Sequence, residues 1–282
     1  MAKSRTRLQR PSGRTGKGQS EYSYNPEAVE PADKREIYPM FALGVVLGFF
    51  ALIVCYRQQY LLLYGDAVAH LGIARRIVDA HYPGLAQLGG VWLPLPHLLM
   101  LPFIGKMAMW QTGFAAVPMS MTSFALSVAG LWRLCRRLMR PRWAFVATAF
   151  YALNPNLLYL ATTAMTETLF LALFLWTIVM AMECLAAIRE GKIATARARM
   201  IVAGLLILCQ VFTRYDGWII GAVIWLCITV AWWRSSLRVA LRPAYVIFTV
   251  ICLAGPIAWF WYNAHFEGDW LDFMRGPYSA KA

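Results

Sequence analysis

Residues 38–60 read YPMFALGVVLGFFALIVCYRQQY. About 20 apolar residues in a helix cross the roughly 30 Å hydrocarbon core of a bilayer, and this run is long enough. It is also too long for the short apolar core of a signal peptide, which would end in a small-residue cleavage site. The reading is therefore a membrane helix. Working outward, further apolar runs fall at 113–132, 143–162, 166–187, 200–213, 217–233 and 244–262, so the sequence predicts seven transmembrane helices in an all-α bundle. The fifth is short, and its neighbours or a locally thinned bilayer must make up the difference.

Composition agrees. Of 282 residues, 60% are hydrophobic and 15% charged, against about a quarter charged in soluble domains. The formal charge of +13 would suggest a nucleic-acid partner if the basic residues formed one patch, but they stand in short clusters between apolar runs, so no nucleic-acid partner is expected. Residues 1–38 carry Lys3, Arg5, Arg7, Arg10, Arg14 and Lys17 and are rich in Gly, Pro and Ser. They read as a disordered basic tail. The six cysteines are scattered singly, without CxxC spacing, as expected of small core hydrophobes.

Lys and Arg are retained in cytoplasmic loops. A cytoplasmic tail puts three clusters on the same side: Arg133, Arg136, Arg137, Arg140 and Arg142; Arg189, Lys192, Arg197 and Arg199; and Arg234, Arg238 and Arg242. The opposite loops hold Asp66, Asp79, Glu167, Asp216, Glu267, Asp269 and Asp272, so acids collect externally. The first external loop, 61–112, is too apolar to run free. In it, GDAVAHLGIARRIVDA sets Ala67, Leu71, Ala74 and Val78 at helical spacing, as in an interfacial amphipathic helix. The prolines of VWLPLPHLLMLPFIG break regular helix and predict a short surface or re-entrant helix. Residues 263–282 form an external C-terminal segment.

Asp66, just after the first span, is the leading candidate for chemistry. His70 follows one helical turn on, so both side chains can converge on a ligand or metal; helix capping is the plainer role for Asp66. Glu167 begins the fourth span among Thr163, Thr166 and Thr168, and an acid so near an apolar run needs a partner. Asp66 and Glu167 can divide base and metal-binding or charge-stabilising roles. Arg214 and Asp216 in VFTRYDGW are the next candidates: the arginine offers a bidentate donor to a phosphate, or locks two helix ends through Asp216 or Glu167. Arg75 and Arg76 suit a lipid phosphate or snorkel. His97 and Trp92 shape a pocket or pack structurally. No phosphate-binding glycine loop, nucleophile elbow, HExxH or haem pattern is present.

The ordered set GDAVAHLGIARRIVD, GGVWLPLPHLLMLPF, ALNPNLLYLATTAMTETLFLALFLW and TRYDGW, spanning Asp66 to Trp218, resembles the dolichyl-phosphate-mannose protein mannosyltransferases, glycosyltransferase family 39, of the membrane-embedded GT-C fold. The terminal YNAHFEGDWLDFMRGPYSA is similar to the segment after a later span in bacterial members. The resemblance implies a GT-C-like fold and an inverting glycosyltransferase that uses a polyprenyl-phosphate-linked, mannosyl-type hexose. Its acceptor would be a protein, lipid or glycan on the external face of a bacterial inner membrane. It puts the family's acid of the first external loop on Asp66, which would activate the acceptor hydroxyl as base or orient it, and its acid at the start of the fourth span on Glu167, which would help to hold the donor phosphate and a divalent cation such as Mg²⁺ or Mn²⁺. Family members are longer, and continue through further spans after the point where this chain stops. A lipid-linked sugar flippase and a non-catalytic assembly subunit are the alternatives.

Overall fold

The computed structural model describes residues 34–276 and Ser279; the expected basic tail lies outside them except for its last five residues. Those five already belong to the first helix, α1 (Lys34–Arg57). The remaining helices are α2 (Gly65–Val78), α3 (Leu95–Ile104), α4 (Met107–Thr112), α5 (Val117–Leu138), α6 (Pro141–Ala152), α7 (Pro155–Leu160), α8 (Glu167–Arg189), α9 (Ile193–Val211), α10 (Asp216–Arg234), α11 (Arg238–Phe266) and α12 (Asp272–Arg275). No strand occurs among the described residues. Helices α1, α8, α9, α10 and α11 are long and apolar enough to cross a membrane.

The two other expected spans take a different form. Helix α5 is long, but Ser120, Ser123 and Ser127 are buried along it and arginines end it, which lowers its hydropathy without removing it from the core. Ser120 donates to the Thr163 carbonyl, and the Tyr151 hydroxyl donates to Ser127 at 2.9 Å, so its polar groups are used inside the bundle, as burial demands. The 143–162 run is not one helix. At Asn154–Pro155 the chain stops and restarts: proline cannot extend a helix but suits its first position, and Asn154 Oδ1 accepts from the amides of Asn156 and Leu157 at 2.9 and 3.3 Å, capping α7.

The fifth span is longer than expected. Helix α9 begins at Ile193, because the turns carrying Arg197 and Arg199 are helical and bury Ala196. Arg199 reaches Glu183 on α8 at 2.7 Å, and Arg197 donates to the Ala240 carbonyl on α11. Close approach between helices depends on small residues. A side-chain carbon at Gly44 of α1 would lie 2.6 Å from Ala125 Cα of α5, and one at Gly217 of α10 would lie 2.5 Å from the Gln210 carbonyl oxygen.

Consecutive helices α8 to α11 alternate in direction. One end of the bundle therefore gathers the start of α8, the end of α9, the start of α10 and the end of α11, together with α2 and α3. Helix α2 buries Ala67, Leu71 and Ala74 as expected, but the buried stripe runs on through Ile73 and Ile77, while Val78 is exposed. Its seat includes Met100 and Ile104 of α3. Helix α3 has 10 residues and rises only about 15 Å at 1.5 Å per residue, half of what a crossing requires. It is tied down by Leu95, whose amide donates to the Phe212 carbonyl at 3.0 Å.

Candidate functional site

At this end, Val91, Trp92 and Leu93, His70 of α2, Thr166 before α8, and Thr213–Asp216 between α9 and α10 enclose a cavity of about 400 Å³. The wall is fixed by long-range hydrogen bonds. Tyr215 donates from its hydroxyl to the Val91 carbonyl at 2.8 Å and accepts from Trp259 Nε1 at 3.1 Å. Burial raises the Tyr215 phenol above its ordinary range, so it stays a neutral donor.

Arg214 dominates the electrostatics. Its Nη1 donates to Glu167 Oε1 at 3.2 Å and to Thr166 Oγ1 at 3.3 Å, its Nε donates to Asp216 Oδ2 at 3.0 Å, and the guanidinium lies over the Phe170 ring. Of the two ion pairs the sequence offered as alternatives, both form. Glu167 Oε2 is buried and has no partner, although half of this carboxylate is engaged. One cation thus serves two acids, and one oxygen of Glu167 is left as a spare acceptor.

His70 and His97 form the other polar element. His70 Nδ1 stands 2.9 Å from His97 Nε2, and the His70 ring meets Trp92 edge to face at 4.4 Å. Both rings are buried, and desolvation disfavours their charged forms. It lowers His70 to about 4, against an opposing pull from Asp66 and with help from Arg214, and lowers His97 to about 3, with His70 adding to the effect. Both are neutral at pH 7. The nearby Leu93 backbone pulls the other way on His97, and His97 Nδ1 is buried without a hydrogen-bond partner.

Asp66 lies in the first turn of α2 but does not cap it: the cap position is Tyr64, with no side-chain cap bond. The carboxylate is exposed and forms no hydrogen bond or ion pair among the described residues. It stands near enough to act on His70, yet it is not on the cavity wall. Arg75 is committed elsewhere. It pairs with Asp79, donates to the carbonyls of Ile104 and Gly105 at 2.9 and 2.8 Å, and lies over Trp110, bracing α2 against the end of α3. Arg76 reaches only the Gln87 carbonyl, at 3.5 Å. Both line a second cavity, of about 870 Å³, which shares Val91 and Trp92 with the first.

The structure thus gathers His70, Arg214 and Asp216 on one wall, with Glu167 joined through Arg214 and His97 behind His70; it sets Asp66 beside them and Arg75 and Arg76 in the adjoining cavity. Sequence reasoning passed over Tyr215, whose signal was its place inside TRYDGW. It also passed over Glu183, an acid within the apolar run of α8. No group of three His, Cys, Asp or Glu side chains suited to a metal occurs among the described residues.

The class these features define is an α-helical membrane protein with a polar cavity where helix ends meet. No family model, curated protein or solved structure matches the chain.

Proposed function

We propose that the chain is a GT-C-like membrane glycosyltransferase with seven crossings, counting α5 and the α6–α7 pair, and a cytoplasmic N-terminus. It transfers a mannosyl-type hexose from a polyprenyl-phosphate carrier to an acceptor on the external face. The observation that carries this reading is Arg214: a bidentate-capable donor on a cavity wall, at the one bundle end where acids outnumber basic partners.

The chemistry assigns each group a task. The acceptor oxygen forms a bond to the sugar C1 as the bond from C1 to the phosphate oxygen breaks. The departing lipid phosphate gains negative charge, which Arg214 stabilises in a cavity partly shielded from water. Asp66, exposed and unpaired, takes the acceptor hydroxyl proton. Neutral His70 orients the sugar by a hydrogen bond, while Tyr215, whose hydroxyl hydrogen is used on the Val91 carbonyl, holds the wall in place. Glu167 positions Arg214, and its unpartnered Oε2 would help to hold a divalent cation such as Mg²⁺ or Mn²⁺, which would supply further positive charge at the phosphate.

The test is transfer from a radiolabelled polyprenyl-phosphate mannose in proteoliposomes. Asp66→Asn abolishes transfer while leaving membrane insertion intact, and Glu167→Gln behaves similarly. Wild-type transfer by Asp66→Asn would refute the assignment. Donor crossing the bilayer without transfer would instead identify a flippase, and neither activity would identify an assembly subunit.

A further inference from the structure

The second cavity has an acidic corner. Neither the glycosyltransfer reading nor the fold uses it. A side-chain carbon built at Gly90, a buried residue of the loop before α3, would collide with Asp272 Oδ2, lie 2.8 Å from Asn263 Oδ1 and lie 3.1 Å from Glu267 Cγ. Two side-chain oxygens, from the end of α11 and the start of α12, and the Glu267 methylene from the turn between them therefore crowd against this residue, and only a glycine leaves room for them.

Two surface acids beside solvent would account for Glu267 and Asp272. They do not account for Asn263. Its side chain is 0% exposed, and Nδ2 donates to the Trp259 carbonyl at 2.9 Å, which turns Oδ1 toward the acids. That oxygen is buried with no hydrogen-bond partner. A buried amide oxygen without a donor costs about 1–3 kcal/mol, and here it faces two carboxylates, which have no proton to offer when ionised. Neither carboxylate makes an ion pair or side-chain hydrogen bond among the described residues; Arg75, on the same cavity, is spent on Asp79 and on backbone carbonyls.

An acceptor-only set of this kind is completed by a cation. All the donor atoms are oxygen, which selects hard ions over the softer metals that prefer nitrogen or sulfur. Calcium accepts such oxygens in adaptable geometry, and the Asn263 and Asp272 side-chain oxygens stand side by side against Gly90. We infer that Asn263, Glu267 and Asp272 form a binding site for a hard divalent cation of the Ca²⁺ or Mg²⁺ class. The site packs against Gly90, whose loop continues into Val91 and Trp92 on the wall of the candidate active site. The inference does not rest on glycosyl transfer, and its residues are distinct from Asp66 and Glu167.

The experiment uses the full chain in detergent micelles. Tb³⁺ is titrated as a calcium probe, with its emission sensitised by the tryptophans nearby, and then displaced by Ca²⁺ or Mg²⁺; thermal melting is followed with each ion. Saturable Tb³⁺ binding is expected, displaced by at least one of the two ions, with a melting temperature raised by that ion. Asp272→Asn weakens binding at least tenfold and removes the thermal shift. Glu267→Gln, at an exposed position that folding does not depend on, weakens it as well, and Asn263→Asp, which adds a charge, retains or tightens it. Absence of saturable binding to the wild type overturns the site. So does unchanged binding in Asp272→Asn and Glu267→Gln, or binding lost only in Asp66→Asn or Glu167→Gln.

Discussion

The two ends of the bundle solve opposite charge problems. At the cavity end, one arginine, Arg214, serves two carboxylates, Glu167 and Asp216, and Asp66 is left unpaired. At the other end, one carboxylate, Glu183, serves three arginines: Arg133 and Arg137 of α5 share Oε1, the latter at 2.8 Å, and Arg199 of α9 reaches Oε2. A second pair there joins Arg136 to Glu36 at 3.0 Å. A cavity of about 730 Å³, lined by Arg189 and Arg234 among apolar side chains, lies on the same side. It is larger than the cavity beside Arg214, but it brings no acid or histidine to its wall. The basic end is a clamp that joins α5, α8 and α9 around a buried acid. The acidic end keeps unspent acceptor atoms next to a cavity.

Breaking the acidic end should be felt mainly in chemistry. Arg214→Ala removes the only arginine among the described residues on the wall of the 400 Å³ cavity and is expected to lower transfer by about 10²–10³-fold, the effect of losing one preorganised transition-state donor. Arg214→Lys should recover only part, since a point charge does not replace the planar fork. Full activity in Arg214→Ala would remove this end's claim to the phosphate.

Breaking the basic end should be felt in stability. Glu183→Gln leaves three guanidinium groups without their shared counter-charge and should cost about 3 kcal/mol. That is the lower end for a broken buried pair, because the arginines are partly exposed. Thermal melting in micelles measures it, and an unchanged melting temperature would show that the clamp is solvated.

Acidification should separate the two ends further. The unfolded histidines take up protons around 6.5, whereas folded His70 and His97 do so near 4 and 3. Between those values the unfolded chain binds more protons, so their contribution is complete above about pH 6.5 and falls as pH drops toward 4. The melting temperature should fall over that window, and His97→Gln should flatten the profile. A profile unaffected by His97→Gln would assign the dependence to other groups.

The smallest effect is steric. Gly44→Ala forces α1 away from Ala125 and should cost about 1–3 kcal/mol, as overpacking does, without changing the relative charge behaviour of the two ends. Melting of this variant gives the size of purely helix–helix disruption against which Glu183→Gln can be judged.

Much of this was legible from apolar run length. The runs at 39–60, 166–187, 217–233 and 244–262 correspond to α1, α8, α10 and α11, each longer than its run because flanking polar residues continue the helix past the apolar stretch. Hydropathy undercounted α9, since Arg197 and Arg199 lower the average although both are held against neighbouring helices. It overran the Asn154–Pro155 break, where backbone chemistry and not apolarity decides. Within the site, the pairing of Arg214 with Glu167 was among the alternatives that spacing left open. The His70–His97 pair was not, because two histidines 27 residues apart meet only once α2 and α3 are packed together.

That pair also determines what the cavity wall offers. One hydrogen is shared between His70 Nδ1 and His97 Nε2, so each ring's tautomer is read by the other. With the hydrogen on His70, His97 carries its own on Nδ1, toward the Leu93 carbonyl, and His70 Nε2 is left as a bare acceptor. With the hydrogen on His97, two lone pairs confront each other at Leu93, and His70 Nε2 becomes a donor. The Leu93 carbonyl favours the first arrangement. A backbone oxygen that touches no ligand therefore selects the polarity of a ring on the binding surface, which makes His70 Nε2 receptive to a hydroxyl hydrogen and leaves the oxyanion to Arg214.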